Sequence, residues 1–173
     1  MDFQFWIWMF LIVFMLHNFE EIFTIEHWFK RVYPAVKDQM PTFVQQQMNE
    51  AKTMTAGQFT MAVFVLFVPI SVLLPLSLTT ELYFLFLGAN LFFALNIITH
   101  PLQALFLRRY VPGLWTSIFI ILPYNLILFN VMQKENLIDA STIGLTLLVA
   151  LLFIPLLFLS HSIGEVWRKN CTI

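Results

Sequence analysis

Residues 3–25 read FQFWIWMFLIVFMLHNFEEIFTI. Crossing the hydrocarbon core of a bilayer takes about 20 mostly apolar residues in a helix. This run is long enough, and it carries no charged group before Glu20. Asp2 is the only charge ahead of it, so there is no positive n-region, and no small-residue cleavage site follows Leu16. It therefore reads as a first transmembrane helix rather than a signal peptide.

Four further runs downstream have the same character. They lie at about Gln58–Leu78, Glu81–Leu107, Pro112–Met132 and Ser141–Trp167. Pro112 suits the first turn of a helix, and Thr79, Thr80 and Glu81 resemble a helix start with an acid at the positive dipole end. The longest connection, Trp28 to Gly57, contains Pro34 and Pro41. After them Phe43, Val44, Met48, Ala51 and Met54 recur at helical spacing. That spacing predicts a short amphipathic helix, either in the interface or packed on the bundle. The expected fold is a single all-α domain over residues 1–173, a bundle of five transmembrane helices.

The whole composition agrees. Of 173 residues, 60% are hydrophobic and 11% charged, against about 25% charged in soluble domains. Twenty Phe, five Trp and eight Met add to the apolar surplus. A soluble enzyme and a disordered chain are excluded. A net charge of −1 gives no basic footprint for nucleic acid. The single cysteine, Cys171, allows neither an intramolecular disulfide nor a thiolate metal cluster.

Positive charge sets the expected orientation. Five spans put Lys30, Arg31, Lys37, Lys52, Arg108, Arg109, Arg168 and Lys169 on one side, with only Lys134 on the other. The N-terminus is expected outside and the C-terminus in the cytoplasm, with the protein in the cell (inner) membrane. Trp6, Trp8, Trp28 and Trp167 lie near span ends, as an aromatic belt would.

Ionisable groups inside a bilayer are costly and usually mark a site. In the first span, at 100° per residue, Glu20 falls about 60° to one side of His17 and Glu21 about 40° to the other. Thr24 continues that stripe. The third span carries Asn96, His100 and Gln103 on one face, and Pro101 is expected to kink it. The fifth carries His161 and Glu165 at i, i+4. His100 lies about 12 Å before Arg108, His161 about 10 Å before Arg168 and His17 about 20 Å before Lys30, at 1.5 Å per residue. All three histidines thus fall in the expected cytoplasmic half.

Neutral imidazole and carboxylate suit Zn, Fe or Mn, and a metal would neutralise carboxylates that are otherwise costly to bury. The candidate ligands of a divalent metal are His17, Glu21, His100, His161 and Glu165. Glu20 and Glu21 are the candidate catalytic carboxylates. Asn96, Gln103 and Thr24 are candidates for supporting the site or touching substrate. Without a metal, the same groups would form a hydrogen-bonded proton-transfer centre. The bland alternatives are satisfied core histidines, headgroup-level carboxylates at Glu20 and Glu21, and topology anchors at Arg108 and Arg109.

His17-Asn18-Phe19-Glu20-Glu21 near the start of a small membrane protein resembles the HXXEE family, bacterial integral membrane proteins named for that motif. The resemblance extends to Asn96, to the segment from His100 to Gln103, and to Arg109-Tyr110-Val111-Pro112-Gly113. It implies His17, Glu20 and Glu21 as defining residues and a bacterial cell membrane as the location. It implies no substrate.

Two functional classes follow. One is a membrane-embedded enzyme on an apolar or lipid-like substrate, in its strongest form a metal-dependent hydrolase, in a metal-free form a proton-shuttling isomerase. The other is a binding or transport protein for a cation or an apolar small molecule. The odd span count and the lack of visible internal repeats weigh against a carrier, although a homodimer would supply the missing half.

Overall fold

A computed structural model of the chain describes residues 2–137 and 140–171. Helix α1 spans Phe3–Arg31. Asp2 caps it by accepting from the Phe5 amide at 3.1 Å, while Lys30 and Arg31 complement the negative end of its dipole. Phe3, Ile7, Phe10, Phe14 and His17 are all buried, and their spacing puts them on one face. The apolar stripe that builds the core thus runs directly into His17. The helix continues six residues past the expected Ile25, about 9 Å further.

A short helix α2 (Tyr33–Val36), a 3₁₀ turn (Lys37–Gln39) and helix α3 (Thr42–Ala51) form the first long connection. Val44, Met48 and Ala51 of α3 pack on a cluster of Trp28, Phe29, Tyr33, Val36 and Leu107. Phe43 stands 68% exposed on the outer side. The amphipathic helix is therefore present and spends much of its apolar face on the bundle.

Helix α4 (Ala56–Thr80) is capped by Thr55, whose side chain accepts from the Gln58 amide at 3.1 Å. Its end differs from the expected reading of Thr79, Thr80 and Glu81 as a helix start. The threonine hydroxyls donate back to the carbonyls of Pro75 and Leu76, and Glu81 is a left-handed C-cap with φ 58°. The third span begins instead at Tyr83 and is broken in two, α5 (Tyr83–Ala94) and α6 (Asn96–Leu107). The break sits at Leu95, upstream of the expected kink at Pro101. Proline interferes with the turn before it, through the lost amide and the clash with the i−4 carbonyl, so α6 runs through Pro101 and the ladder is disturbed further up.

The fourth span starts at Leu114 rather than Pro112, because Gly113 is left-handed at φ 80°. It comprises α7 (Leu114–Thr116), a π-helical turn (Ser117–Ile121) and α8 (Leu122–Lys134). Pro123 has no amide for the Phe119 carbonyl, and a wider turn just before it absorbs the mismatch. Helix α9 (Ala140–Cys171) lies along α4 and α5. At Gly164 it comes so close to α4 that a Cβ would stand 2.6 Å from the Gln58 carbonyl oxygen.

Phe10 centres the core, edge-on to Phe86 and Phe93 at 5.7 and 5.5 Å. Outside, Leu148, Leu152 and Phe158 of α9 are 60%, 68% and 66% exposed. So large an apolar surface is foreign to a soluble monomer and fits contact with lipid. Five helices are long and apolar enough to cross a membrane: Phe3–Arg31, Ala56–Thr80, Tyr83–Leu107, Leu114–Lys134 and Thr142–Asn170. Among the described residues there is no strand.

Candidate metal centre

His17 and Glu21 share one face of α1, one turn apart, and His100 of α6 closes on both. Glu21 Oε2 is 3.7 Å from His17 Nε2, and Glu21 Oε1 is 3.5 Å from His100 Nε2. The two imidazole centroids are 5.2 Å apart. One ligand atom from each of the three residues lies within 4.8 Å of the others. Ligands about 2.1 Å from a tetrahedral ion stand about 3.4 Å apart. The 3.7 and 3.5 Å contacts run to different Glu21 oxygens, so the carboxylate would turn to offer one oxygen to an ion shared with both imidazoles, and the separations, now within 4.8 Å, would contract.

The donor set is consistent with this. His17 Nε2 and both ring nitrogens of His100 are buried without a hydrogen-bond partner. Native proteins rarely leave such groups orphaned, and each exception calls for an explanation. An ion at the centre would satisfy two of these nitrogens at once.

Glu20 faces the other way. Its carboxylate accepts four hydrogen bonds, all from the connection and the first turn of the fourth span. The Tyr110 hydroxyl (2.6 Å) and the Trp115 amide (3.2 Å) bind Oε1, and the Thr116 amide (2.7 Å) and hydroxyl (2.6 Å) bind Oε2. The amides are those a helix start leaves without partners. Burial, then the bond to Glu20, raises the Tyr110 hydroxyl pKa, which keeps it a donor. Thr24 donates to the Glu20 carbonyl at 2.6 Å and lies 3.4 Å from the Tyr110 hydroxyl.

Thr116 links the two halves of the motif. Its hydroxyl lies 2.8 Å from His17 Nδ1, and its one hydrogen goes to Glu20. It must therefore accept from His17, which places the imidazole proton on Nδ1 and leaves the Nε2 lone pair facing Glu21. A histidine whose far nitrogen is fixed this way is the usual form of a metal ligand.

Gly113 completes the cradle. A Cβ there would stand 2.7 Å from His17 Cε1 and 3.0 Å from His100 Nε2. The backbone lies directly against both rings, in a left-handed conformation that favours glycine.

Of the residues expected from sequence, the structure brings His17, Glu21 and His100 together. Glu20 stays outside the group, tied to the fourth span. His161 lines the same cavity as His17, Glu21 and His100, about 520 Å³ in volume, but packs on Phe59 with ring centroids 6.0 Å apart and is not in the three-residue group. Glu165 points elsewhere, exposed and paired with Lys169 at 2.7 Å. Asn96 and Gln103 also line the 520 Å³ cavity. The sequence carries no signal for Thr116, and it marks Tyr110 and Gly113 only as part of the segment that resembles the HXXEE family. A hydroxyl in the first turn of a span gives little signal by itself.

The chain is thus an apolar helical bundle with a broken third helix, five helices long and apolar enough to cross a membrane, and a polar centre buried between the first and third of them. Residues 8–128 match the family described as protein of unknown function with HXXEE motif, and the chain belongs to that family. The matched segment holds every residue of the His17, Glu20, Glu21, His100, Gly113 and Thr116 assembly, and stops before His161 and Glu165. Neither the curated proteins nor the solved structures include a match to the chain.

Proposed function

We propose that His17, Glu21 and His100 hold a divalent metal ion, and that the protein is a membrane-embedded, metal-dependent enzyme of hydrolase type acting on an apolar or lipid-like substrate. The observation that carries this reading is three ligand atoms within 4.8 Å, two of them on imidazoles with orphaned nitrogens, at the meeting point of two cavities. Two His and one Glu are a familiar catalytic zinc set, which leaves a further position for water or substrate. Such an ion supplies activation of water and polarisation of a carbonyl.

The chain's own groups divide the work. His17 and His100 anchor, and Glu21 gives one oxygen as ligand, keeping the other to accept a proton from water. Glu20 and Thr116 orient His17. Glu20 thus serves as a positioning residue and Glu21 as the one carboxylate, among the described residues, with a lone pair turned to the reacting centre. The eight-to-one division of positive charge supports a site in the cytoplasmic half of a cell membrane. Reporter fusions after residue 137 and at the C-terminus should read outside and inside respectively; the same side for both would overturn this orientation.

Metal analysis of detergent-purified protein tests the centre. One Zn, Fe or Mn per chain is expected, lost in His100→Ala. Wild-type protein without metal, whose melting is unaffected by added Zn²⁺ and by chelator, would overturn it and favour proton transfer among His17, Glu21 and His100.

A further inference from the structure

Two cavities meet at the His17–Glu21–His100 group, and their linings differ. One, about 460 Å³, lies between the end of α1, α3 and α6, with Ile25, Trp28, Val44, Phe106 and Leu107 in its wall. Its ionisable and amide side chains, Glu21, His100 and Gln103, are all shared with the other cavity. The Trp28 indole N–H is engaged by the Tyr110 carbonyl at 2.8 Å. The second, about 520 Å³, is also walled mostly by apolar side chains such as Phe14, Phe93 and Leu157, but it adds Asn18, Asn96, Thr99 and His161. Among the described residues no Lys, Arg or Asp lines either one. Arg108 and Arg109 are exposed and outside both walls.

We infer that the substrate is a neutral amphiphile in two parts: an aliphatic chain that enters the 460 Å³ cavity, and an uncharged, hydroxyl- or amide-bearing part that lies in the 520 Å³ cavity. The inference rests on the proposed function of the site, and it names the substrate class. The linkage between the two parts then falls at the waist, beside Glu21 and His100. Away from Glu21, His100 and Gln103 at the waist, the wall of the 460 Å³ cavity is apolar, so it accepts a hydrocarbon chain and rejects a polar one, because buried polar atoms without partners are costly. Amides, a hydroxyl and an imidazole accept a polyol or amide part and orient it. A phosphate is disfavoured: with the linkage at the waist it would sit at the far end of the polar part, away from the metal centre, where among the described residues no Lys or Arg lines the 520 Å³ cavity to receive it. A phospholipid or a lysophospholipid is therefore the wrong class, and an acylglycerol, a fatty amide or a similar uncharged ester is the right one.

Trp28 supplies the readout. A non-hydrolysable 1-O-alkylglycerol with a dibrominated chain should quench Trp28 when the chain is seated. The measurement uses detergent-solubilised protein with Trp6, Trp8, Trp115 and Trp167 replaced by Phe. Saturable quenching is expected, competed by unbrominated alkylglycerol at least tenfold better than by lysophosphatidic acid of equal chain length. Asn96→Leu with Gln103→Leu should weaken the alkylglycerol about tenfold and leave a brominated alkane unchanged. Native mass spectrometry of the wild-type protein, which retains all its tryptophans, should give the same order of retention. Equal or tighter lysophosphatidic acid binding, or an alkylglycerol no better than the alkane, would overturn the inference. Metal content is measured on the same samples. Loss of ligand preference with metal retained defeats only the substrate class, whereas absent metal with the preference intact defeats only the metal centre.

Discussion

Glu20 and Glu21 are neighbours on one helix, and the structure gives them opposite surroundings. Glu20 accepts four hydrogen bonds from Tyr110, Trp115 and Thr116. Among the described residues Glu21 has no hydrogen-bond donor, and it faces two imidazoles at 3.5 and 3.7 Å. A helix turns 100° per residue, so adjacent carboxylates flanking one histidine necessarily reach different partners. Glu20 is held by the positive end of the fourth span's first helix, which needs no metal. Glu21 has only histidines, which stabilise a carboxylate if they are protonated or if they share an ion with it. The first carboxylate therefore holds the fold together, and the second serves the chemistry.

The sharpest break of this comparison is the pair Glu20→Ala and Glu21→Ala in metal-free protein. Glu20→Ala leaves two amides and two hydroxyls without their acceptor and should cost about 2–4 kcal/mol. Glu20→Gln should recover only part of it, since its amide group brings donors to a site that supplies donors. Glu21→Ala or Glu21→Gln should change stability by about 1 kcal/mol or less, or raise it, because a carboxylate without hydrogen bonds is removed. Metal binding should show the reverse order, lost at position 21 and weakened at 20. Thermal melts with and without Zn²⁺ measure both, and equal stability losses at the two positions would erase the distinction.

Gly113→Ala tests whether the two histidines need the backbone against them. The left-handed φ of 80° and a Cβ 2.7 Å from His17 Cε1 together should cost about 1–3 kcal/mol. Metal content should fall with it, because His17 and His100 are pushed apart. A variant that is destabilised yet binds metal normally would confine Gly113 to the turn.

Thr116 is the joint between the two carboxylates' territories. Thr116→Val keeps the shape and removes the hydroxyl that accepts from His17 Nδ1. Metal affinity should drop about 10- to 100-fold, the usual cost of losing a partner that orients a ligating histidine. Thr116→Ser should restore most of it. If serine behaves like valine, the methyl group rather than the hydroxyl positions His17. Zinc titration against a competing chelator gives the affinities.

The five spans were legible because hydrophobic length is a local property. So was the pairing of His17 with Glu21, which follows from i, i+4 spacing on one helix. His100 could be placed near them by counting residues back from Arg108. What sequence could not supply was the difference between Glu20 and Glu21, because it depends on which helix start lies beside α1. That start is fixed by Gly113, whose left-handed turn delays the fourth span to Leu114 and aims the Trp115 and Thr116 amides at Glu20. The break at Leu95 was misplaced to Pro101 for a similar reason: a proline disturbs the turn before it, and how far upstream the strain is released depends on the neighbours. Glu165 looked equivalent to Glu21, since both follow a histidine by four residues. Lys169, a further four residues on, provides the closer partner.

Glu165 therefore gives the smallest expected effect and the strictest control. It is exposed, and its ion pair with Lys169 lies on the surface of the helix, where such pairs contribute little. Glu165→Gln should leave both the melting temperature and the metal content unchanged. His161→Ala is the finer case, because His161 lines the 520 Å³ cavity without belonging to the three-residue group. It should preserve metal stoichiometry and affinity within about twofold while altering ligand binding in that cavity. The combination His161→Ala with Glu165→Gln should show simple additivity in stability, as expected for groups without a shared partner. Loss of metal in either single variant would mean that α9 closes onto the centre when the ion binds. The site would then span three helices rather than two, and the contrast between Glu20 and Glu21 would have to be redrawn around a third carboxylate.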